Sequence, residues 1–217
     1  MPHFQHLILG VVLACLSCLA ALPAAAAVRI LAFGDSLTFG SGLSEPDGFV
    51  PQLEAWLHAH GAPDAMVLNA GVPGETTAEG LARIERTLAE TRPDAVLVAL
   101  GANDLLRGLS TSRMFANLDD ILAVVTAEGM PALLAGLPPP PTWPRGDRET
   151  YRDTFRTIAD EHGAIYVPSF FGGMSGQGIG AVRRMMQDDG IHPNAEGVRA
   201  NVAAIGPEVL DLVERAR

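Results

Sequence analysis

A serine, a histidine and an aspartate in this 217-residue sequence have the types and spacing that nucleophilic catalysis requires. Ser36 follows Gly34-Asp35 directly after an apolar run, and Asp189 and His192 stand three residues apart near the C-terminus. A serine hydroxyl is a poor nucleophile until an imidazole takes its proton, and that imidazole needs a third group to fix its tautomer. A spacing of three lets one turn aim a carboxylate at Nδ1 while Nε2 faces a serine. These residues could therefore attack a carbonyl carbon.

The elements that must position these residues form an alternating pattern. Short apolar runs alternate with helical periodicity, which is typical of a parallel sheet covered by helices on both faces. We expect one α/β domain, a three-layer α/β/α sandwich of flavodoxin-like type with about five parallel strands. In such folds ligands bind at the carboxyl ends of the strands. The predicted strands are Val28 to Phe33, Met66 to Asn69, Ala95 to Leu100, Ala132 to Leu137 and Ile165 to Val167.

Three helices can be located by apolar stripes that we assign to the core. One ends before Gly129, one could be capped by Asp147, and the last begins at Asn194. The run Pro138 to Pro141 cannot continue a strand and must loop out. The stripes are Met114, Leu118, Ile121, Leu122 and Val125; Tyr151, Phe155 and Ile158; and Val198, Val202, Ile205, Val209 and Leu212.

Small and polar residues follow three of the predicted strands, and a fourth such segment precedes the last helix. They are Gly34 to Leu37, Asn69 to Gly74, Gly101 to Asp104 and Asp189 to Asn194. In this order the segments resemble the four sequence blocks of the SGNH hydrolase superfamily, also called GDSL esterases and lipases. The resemblance covers nearly all of the chain after residue 27. The spacings are similar to those of the bacterial thioesterase I/lysophospholipase L1 and arylesterase branch.

The resemblance implies a role for each motif residue. It places the nucleophile on Ser36, with Asp189 as acid and His192 as base. It places the oxyanion hole on Ser36, Gly74 and Asn103, whose N–H groups would face the negative oxygen of the tetrahedral intermediate. Gly71 is a competing glycine, although the Gly-Glu-Thr that follows Pro73 fits the family block better at Gly74. Asp35 is expected to stabilise the turn rather than to act on substrate.

The implied function is the hydrolysis of carboxylic esters or thioesters through an acyl-enzyme, without a cofactor. Small acyl or aryl esters, thioesters and lysophospholipids are the expected substrates. A carbohydrate O-acetyl esterase is the alternative enzyme, but two Trp and two Tyr provide few platforms for sugars. A catalytically silent binding protein on the same scaffold is the alternative from another class. Loss of Ser36, Asn103 or His192 would mark it, and all three are present.

An apolar acyl-binding site is expected near the oxyanion asparagine, although the same residues could equally fill the core. Cofactor sites are not expected. In Gly176-x-Gly178-x-Gly180 the third glycine comes one position too early for a nucleotide-binding loop, so the segment is interpreted as a flexible loop at the rim of the site. His58 and His60 fall on different helix faces, so no metal is predicted. The candidate substrate-binding residues are Leu105, Leu106, Leu109, Trp143, Ile179, Met185 and Met186.

Composition and charge exclude some partners. The formal net charge is −10 and the chain contains no lysine, so a nucleic-acid-binding surface is not expected. A single core of ordinary size fits 217 residues of which 48% are apolar.

The N-terminus has the pattern of an export signal. Leu7 to Ala27 carries no charge and ends in four alanines, so we predict a signal peptide over 1–27 and a hydrolase domain over 28–217. The protein would then be periplasmic or secreted. An uncleaved membrane anchor is the alternative, because the run is just long enough to span a bilayer. Cys15 and Cys18 both lie in this segment, which leaves the domain without a thiol.

Overall fold

One parallel sheet organises the part of the chain that the computed structural model describes, residues 27–217. Its strands run in the order β2-β1-β3-β4-β5, which confirms the single α/β domain expected from the sequence. β1 and β2 continue past their predicted ends because Gly34 and Gly71 still pair in register. The strands are β1 (Arg29–Gly34), β2 (Met66–Gly71), β3 (Ala95–Ala99), β4 (Ala132–Ala135) and β5 (Ile165–Val167).

Two groups of helices sandwich this sheet. α3 (Thr77–Thr91), α5 (Thr111–Ala127) and α6 (Arg145–Glu161) pack side by side, and α2 (Phe49–Ala59) packs against α8 (Ala195–Arg215). Three short helices lie in the connections, together with 3-10 turns at Glu45–Asp47 and Gly172–Met174. The short helices are α1 (Ser36–Phe39), α4 (Ala102–Leu106) and α7 (Ile179–Arg184).

The core lies between the sheet and both helix groups. Every residue of β3 and β4 is buried, which agrees with apolar strands that are covered on both faces. The three predicted apolar stripes are all buried as well. Asn194 caps α8, since its side chain accepts from the N–H groups of Glu196 and Gly197 at 3.1 Å each.

The prediction that Asp147 caps a helix is wrong. α6 begins at Arg145 with Pro144 at its cap position, so Asp147 lies inside the first turn. A proline suits this start because the first N–H groups of a helix have no intrahelical acceptor. The Asp147 carboxylate still stabilises the helix, because a negative charge in the first turn interacts favourably with the positive end of the helix dipole.

The predicted signal peptide, with Cys15 and Cys18, lies outside the described residues except for Ala27. Within residues 27–217, no helix has both the length and the apolar character needed to cross a membrane.

Candidate active site

Ser36 is the first residue of α1, directly after the carboxyl end of β1. Asp35 caps this helix, because its Oδ1 accepts the N–H of Leu37 at 3.0 Å, so the aspartate stabilises the turn as expected. The cap leaves the Ser36 side chain facing a crevice at the sheet edge. Its Oγ lies 2.9 Å from Nε2 of His192, which is 156 residues later in the chain. A proton can therefore pass directly between the two groups.

Asp189 holds the other side of the imidazole. Its Oδ2 lies 2.6 Å from Nδ1 of His192, and its Oδ1 accepts the N–H groups of Ile191 at 2.9 Å and His192 at 3.0 Å. The hydrogen bond from the His192 ring, followed by those from the backbone, lowers the pKa of Asp189 to about 2. The carboxylate therefore stays ionised at neutral pH and fixes the tautomer in which Nε2 faces Ser36.

Gln187 ties the histidine loop to the serine loop. Its backbone N–H donates to the carbonyl of His192 at 2.8 Å, and its side-chain amide donates to the carbonyls of Ser41 and Pro193 at 2.9 Å each. Ser41 lies just beyond α1 and lines the same crevice as Ser36. These bonds of Gln187 hold the loop of His192 against the loop that follows Ser36. Gln187 was not predicted from the sequence.

The two candidate glycines occupy different environments. Gly74 lines the crevice with a φ of +81°, and within residues 27–217 its N–H donates to no other protein group. Gly71 ends β2, and its N–H already donates to Oδ1 of Asn69. A Cβ on Gly71 would lie 2.3 Å from the backbone nitrogen of Phe39, so glycine is needed there for packing. The geometry favours Gly74 as the donor.

Asn103 lies in α4 at the crevice, but its side-chain N–H groups already have acceptors. Nδ2 donates to Oδ2 of Asp35 at 3.2 Å and to the carbonyl of Glu75 at 3.0 Å. The family resemblance predicts that this amide donates to the substrate oxygen. In the structure, a substrate oxygen would have to share or replace one of these two bonds.

Asp35 is almost completely buried, with 1% of its surface exposed. Burial is the main cause that raises the pKa of its carboxyl to about 6, although the Leu37 N–H and His192 act in the opposite direction. Its two oxygens meet the cap of α1 and the Asn103 amide. This aspartate therefore connects the serine turn with the asparagine.

Two further buried polar contacts support the loops of the site. The Asp104 carboxylate accepts from the N–H of Thr77 at 2.9 Å and from its hydroxyl at 2.7 Å, which joins α4 to the start of α3. Glu75 pairs with Arg83, whose Nε donates to Oε1 at 2.6 Å. The roles of these residues were missed from the sequence, because a charged residue that pairs inside a fold has the same residue type as an exposed surface residue.

The crevice beside Ser36 has a volume of about 300 Å³. Of the seven candidate substrate-binding residues, it includes Leu106. Apolar side chains outside the predicted substrate-binding set complete its wall, and one of them, Ile191, precedes the histidine. The further apolar residues of the wall are Leu37, Pro73, Ala102, Phe171 and Ile191.

The other six candidates are not brought to the crevice. Leu105 packs against the core, and Leu109 is exposed beyond α4. Trp143 makes an edge contact with Tyr151, with ring centroids 5.6 Å apart, in a separate cavity between α5 and α6. Ile179 and Met186 line another cavity, which they share with Asp189 and Gly190. The carbonyl of Met185 accepts the N–H of Asn194 beneath the start of α8.

Residues 27–217 contain no group of three or more His, Asp or Glu side chains that could together hold a metal ion.

Comparisons with known proteins match most of the chain to one family and to solved structures. Residues 32–200 match the model of the GDSL-like lipase/acylhydrolase family. Esterase TesA of Pseudomonas aeruginosa is 36% identical over 82% of this chain and 86% of its own length. Thioesterase 1/protease 1/lysophospholipase L1 of Escherichia coli strain K12 is 33% identical over 80% of this chain and 79% of its own. A crystal structure of TesA superposes with a TM-score of 0.75 at 33% identity, covering 85% of this chain and 99% of that one.

Proposed function

The chain belongs to the GDSL-like lipase/acylhydrolase family and is a serine-dependent acyl hydrolase, in which we propose Ser36 as nucleophile, His192 as base and Asp189 as the orienting acid. The observation that carries these roles is the continuous pair of contacts made by one imidazole. Its Nε2 lies 2.9 Å from Oγ of Ser36, and its Nδ1 lies 2.6 Å from Oδ2 of Asp189.

In the first half of the reaction, Oγ of Ser36 attacks the carbonyl carbon while Nε2 of His192 takes the hydroxyl proton. The imidazolium is stabilised by the Asp189 carboxylate. As the tetrahedral intermediate collapses, Nε2 gives the proton to the leaving alcohol or thiol, and an acyl group remains on Ser36. In the second half, Nε2 of His192 takes a proton from water, which attacks the acyl carbon. Nε2 then returns this proton to Oγ of Ser36 as the acyl–Oγ bond breaks and the acid is released.

Three groups are proposed to stabilise the negative oxygen of the intermediate. Ser36 and Gly74 both line the crevice, and their N–H groups have no acceptor within the described chain, which supports this role. The Asn103 amide takes part by exchanging its 3.2 Å bond to Asp35 for a bond to the substrate oxygen.

Apolar esters and thioesters are the proposed substrates. Relatives named esterase, arylesterase and thioesterase/lysophospholipase support this class. So does the crevice wall, in which Leu106, Phe171 and Ile191 offer apolar contacts and Phe171 is the aromatic residue. Faster turnover of 4-nitrophenyl octanoate than of acetylated xylan is expected; the reverse ranking would contradict the substrate class and favour a carbohydrate O-acetyl esterase.

The nucleophile can be tested with a fluorophosphonate probe, which reacts with an activated serine. We expect the wild type to be labelled, and Ser36→Ala to lose both labelling and at least ~10⁴-fold in kcat, because the acyl-enzyme cannot form. Ser41→Ala is the matched control, since Ser41 lines the same crevice and should keep its label. A folded wild type that stays unlabelled would instead support a silent binding protein.

Export is proposed from the N-terminal sequence, with residues 1–27 as the signal peptide and 28–217 as the mature domain. N-terminal sequencing of protein recovered outside the cytoplasm should begin near Val28. An intact N-terminus on membrane-bound protein would favour the uncleaved anchor.

A further inference from the structure

Large exposed apolar side chains are concentrated at the edge of the sheet that holds the crevice. Within residues 27–217, six of seven such side chains follow the carboxyl end of a strand or precede His192, whereas Met66 begins β2 at the opposite edge. Single exposed apolar residues are ordinary, but a group at one edge marks an interaction surface. We call these six the apolar rim: Phe39, Val72, Leu106, Leu109, Ile179 and Ile191.

Contact with a substrate inside the crevice does not account for the rim. Leu106 and Ile191 line the crevice, but Phe39, Leu109 and Ile179 do not. Ile179 is 89% exposed and stands between two glycines at the start of α7, a helix with no buried residue. Such a side chain contributes little to the core, so its burial requires a partner outside the chain.

Three exposed arginines accompany the rim. Arg107 lies between Leu106 and Leu109 in the sequence, and Arg183 and Arg184 follow Ile179 on α7. Arg107 donates a hydrogen bond to the carbonyl of Gly74, but within the described chain none of the three forms an ion pair with a carboxylate. Guanidinium groups bind phosphate oxygens well. Arginines beside exposed apolar side chains are the combination by which proteins lie on phospholipid surfaces.

The net charge of the whole chain favours one class of phospholipid as the partner of the apolar rim. The net charge is −10, and the exposed Asp188 and Asp189 lie close to α7 in the same cavity wall as Ile179. A strongly anionic surface would repel these groups. A zwitterionic phospholipid offers phosphates to the arginines with little overall repulsion.

We propose that the apolar rim docks this chain onto a zwitterionic phospholipid surface with the crevice facing the lipid. Ser36 then receives its acyl substrates from an aggregate rather than from dilute solution. The delivery of substrate rests on the proposed function, whereas the docking to lipid does not require hydrolysis.

Amide hydrogen exchange of the full-length Ser36→Ala chain tests docking without turnover. On phosphatidylcholine vesicles we expect exchange in segments 105–110 and 176–184 to slow several-fold, and exchange in 86–93, at the opposite edge, to stay the same. Unchanged exchange in the rim segments would overturn the proposal, even if the chain binds the vesicles through another surface. Protection that follows protein concentration without vesicles would also overturn it, since the rim would then bind a second copy.

A kinetic comparison gives an independent test. The double variant Ile179→Ser/Arg183→Glu changes residues outside the crevice, so 4-nitrophenyl acetate should be hydrolysed at the wild-type rate. Activity on lysophosphatidylcholine micelles should fall about tenfold, as expected for the loss of one apolar anchor and one phosphate contact. Met66→Ser, which removes an exposed apolar residue at the opposite edge, should change neither rate.

Equal losses on both substrates would overturn the docking role. If the wild type hydrolyses neither substrate, the proposed function fails, and the exchange measurement still decides whether the rim docks.

Discussion

At the scale of single residues, buried Asp35 lowers the stability of the fold while it supports the site. The carboxyl is buried, and its pKa is raised to about 6 from an ordinary value of 3.8. Above pH 6 the folded protein must therefore hold a buried charge that costs it about 3 kcal/mol relative to the unfolded chain. In return, the carboxylate orients the Asn103 amide and caps α1.

Asp35→Asn should reveal this cost as a pH-dependent difference. Well below the ordinary pKa of 3.8 the carboxyl is protonated in both folded and unfolded chains, so the wild type has no penalty. As pH rises from about 4 to about 6, the unfolded chain releases this proton while the folded chain still holds it, so the wild type should lose unfolding free energy relative to the variant and reach a constant loss of about 3 kcal/mol above pH 6. Urea unfolding of both proteins at pH 4, 5, 6 and 7 measures the difference.

The same substitution should lower kcat about tenfold or more, because an amide at position 35 presents N–H groups to those of Asn103. A flat difference for Asp35→Asn over pH 4 to 7 would contradict the buried charge.

Residues with a chemical signature were predictable from sequence, whereas their supports were not. Ser36, Asp189 and His192 stand in recognisable motifs, and the structure brings them together. Gln187 acts through backbone carbonyls of distant loops, and nothing in its sequence context marks those contacts. The candidates Trp143 and Ile179 were selected for apolar character alone, which does not distinguish a crevice wall from a core cluster or an exposed rim.

At the scale of elements, the pair formed by Glu75 and Arg83 fastens α3 to the loop that carries Gly74. Glu75 is 5% exposed and Arg83 14%, and the guanidinium also donates to the carbonyl of Ala70 and lies 3.9 Å from the ring centroid of Phe33. The carbonyl of Glu75 accepts from Asn103. The pair therefore positions two of the proposed oxyanion donors.

Arg83→Met should destabilise the fold by about 3–5 kcal/mol, because it leaves the Glu75 charge buried without a partner. Adding Glu75→Gln should recover much of this loss. Arg86→Met on the same helix is the matched control, since the pair of Arg86 with Glu90 is exposed and 3.9 Å apart, so its loss should cost below about 0.5 kcal/mol. Urea unfolding measures all three, and equal effects of Arg83→Met and Arg86→Met would contradict the buried pair.

Element types were easier to predict than element ends. The five strands were found because apolar runs covered on both faces are unambiguous in an alternating pattern. The start of α6 was misplaced because Asp147 has the type of a cap residue, while Pro144 two positions before Gly146 already fixes an extended backbone there. Choosing between two plausible start signals requires the tertiary packing that the sequence does not display.

At the scale of the whole molecule, the strand order explains why the site forms where it does. β1 has β2 on one side and β3 on the other. The connection that leaves β1 covers one face of the sheet through α2, whereas those that leave β2 and β3 cover the other face through α3 and α5. A crevice opens at such a reversal of strand order. Ser36, Gly74 and Asn103 follow these three strands, so topology places them together before any side chain interacts.

The charge of the whole molecule should influence the substrates that reach this crevice. A net charge of −10 produces a negative electrostatic potential around the molecule, whereas Arg107, Arg183 and Arg184 beside the apolar rim attract anions only at short range. At 10 mM ionic strength the screening length is about 30 Å, so the entire chain repels an anionic substrate; at 150 mM it is about 8 Å, and nearby groups dominate. We therefore expect kcat/KM for mono-4-nitrophenyl succinate to rise roughly two- to threefold between these conditions.

The neutral ester 4-nitrophenyl butyrate has an acyl chain of the same length and should show little change over the same range. Steady-state kinetics at fixed pH with added sodium chloride measures both. A fall in kcat/KM for the succinate ester would mean that the field at the crevice is positive even at long range, because Arg107, Arg183 and Arg184 outweigh the acidic surface there. At low salt all charges of the chain contribute to the potential, and their sum is −10. We therefore expect repulsion of the anionic ester to dominate over attraction by the three arginines.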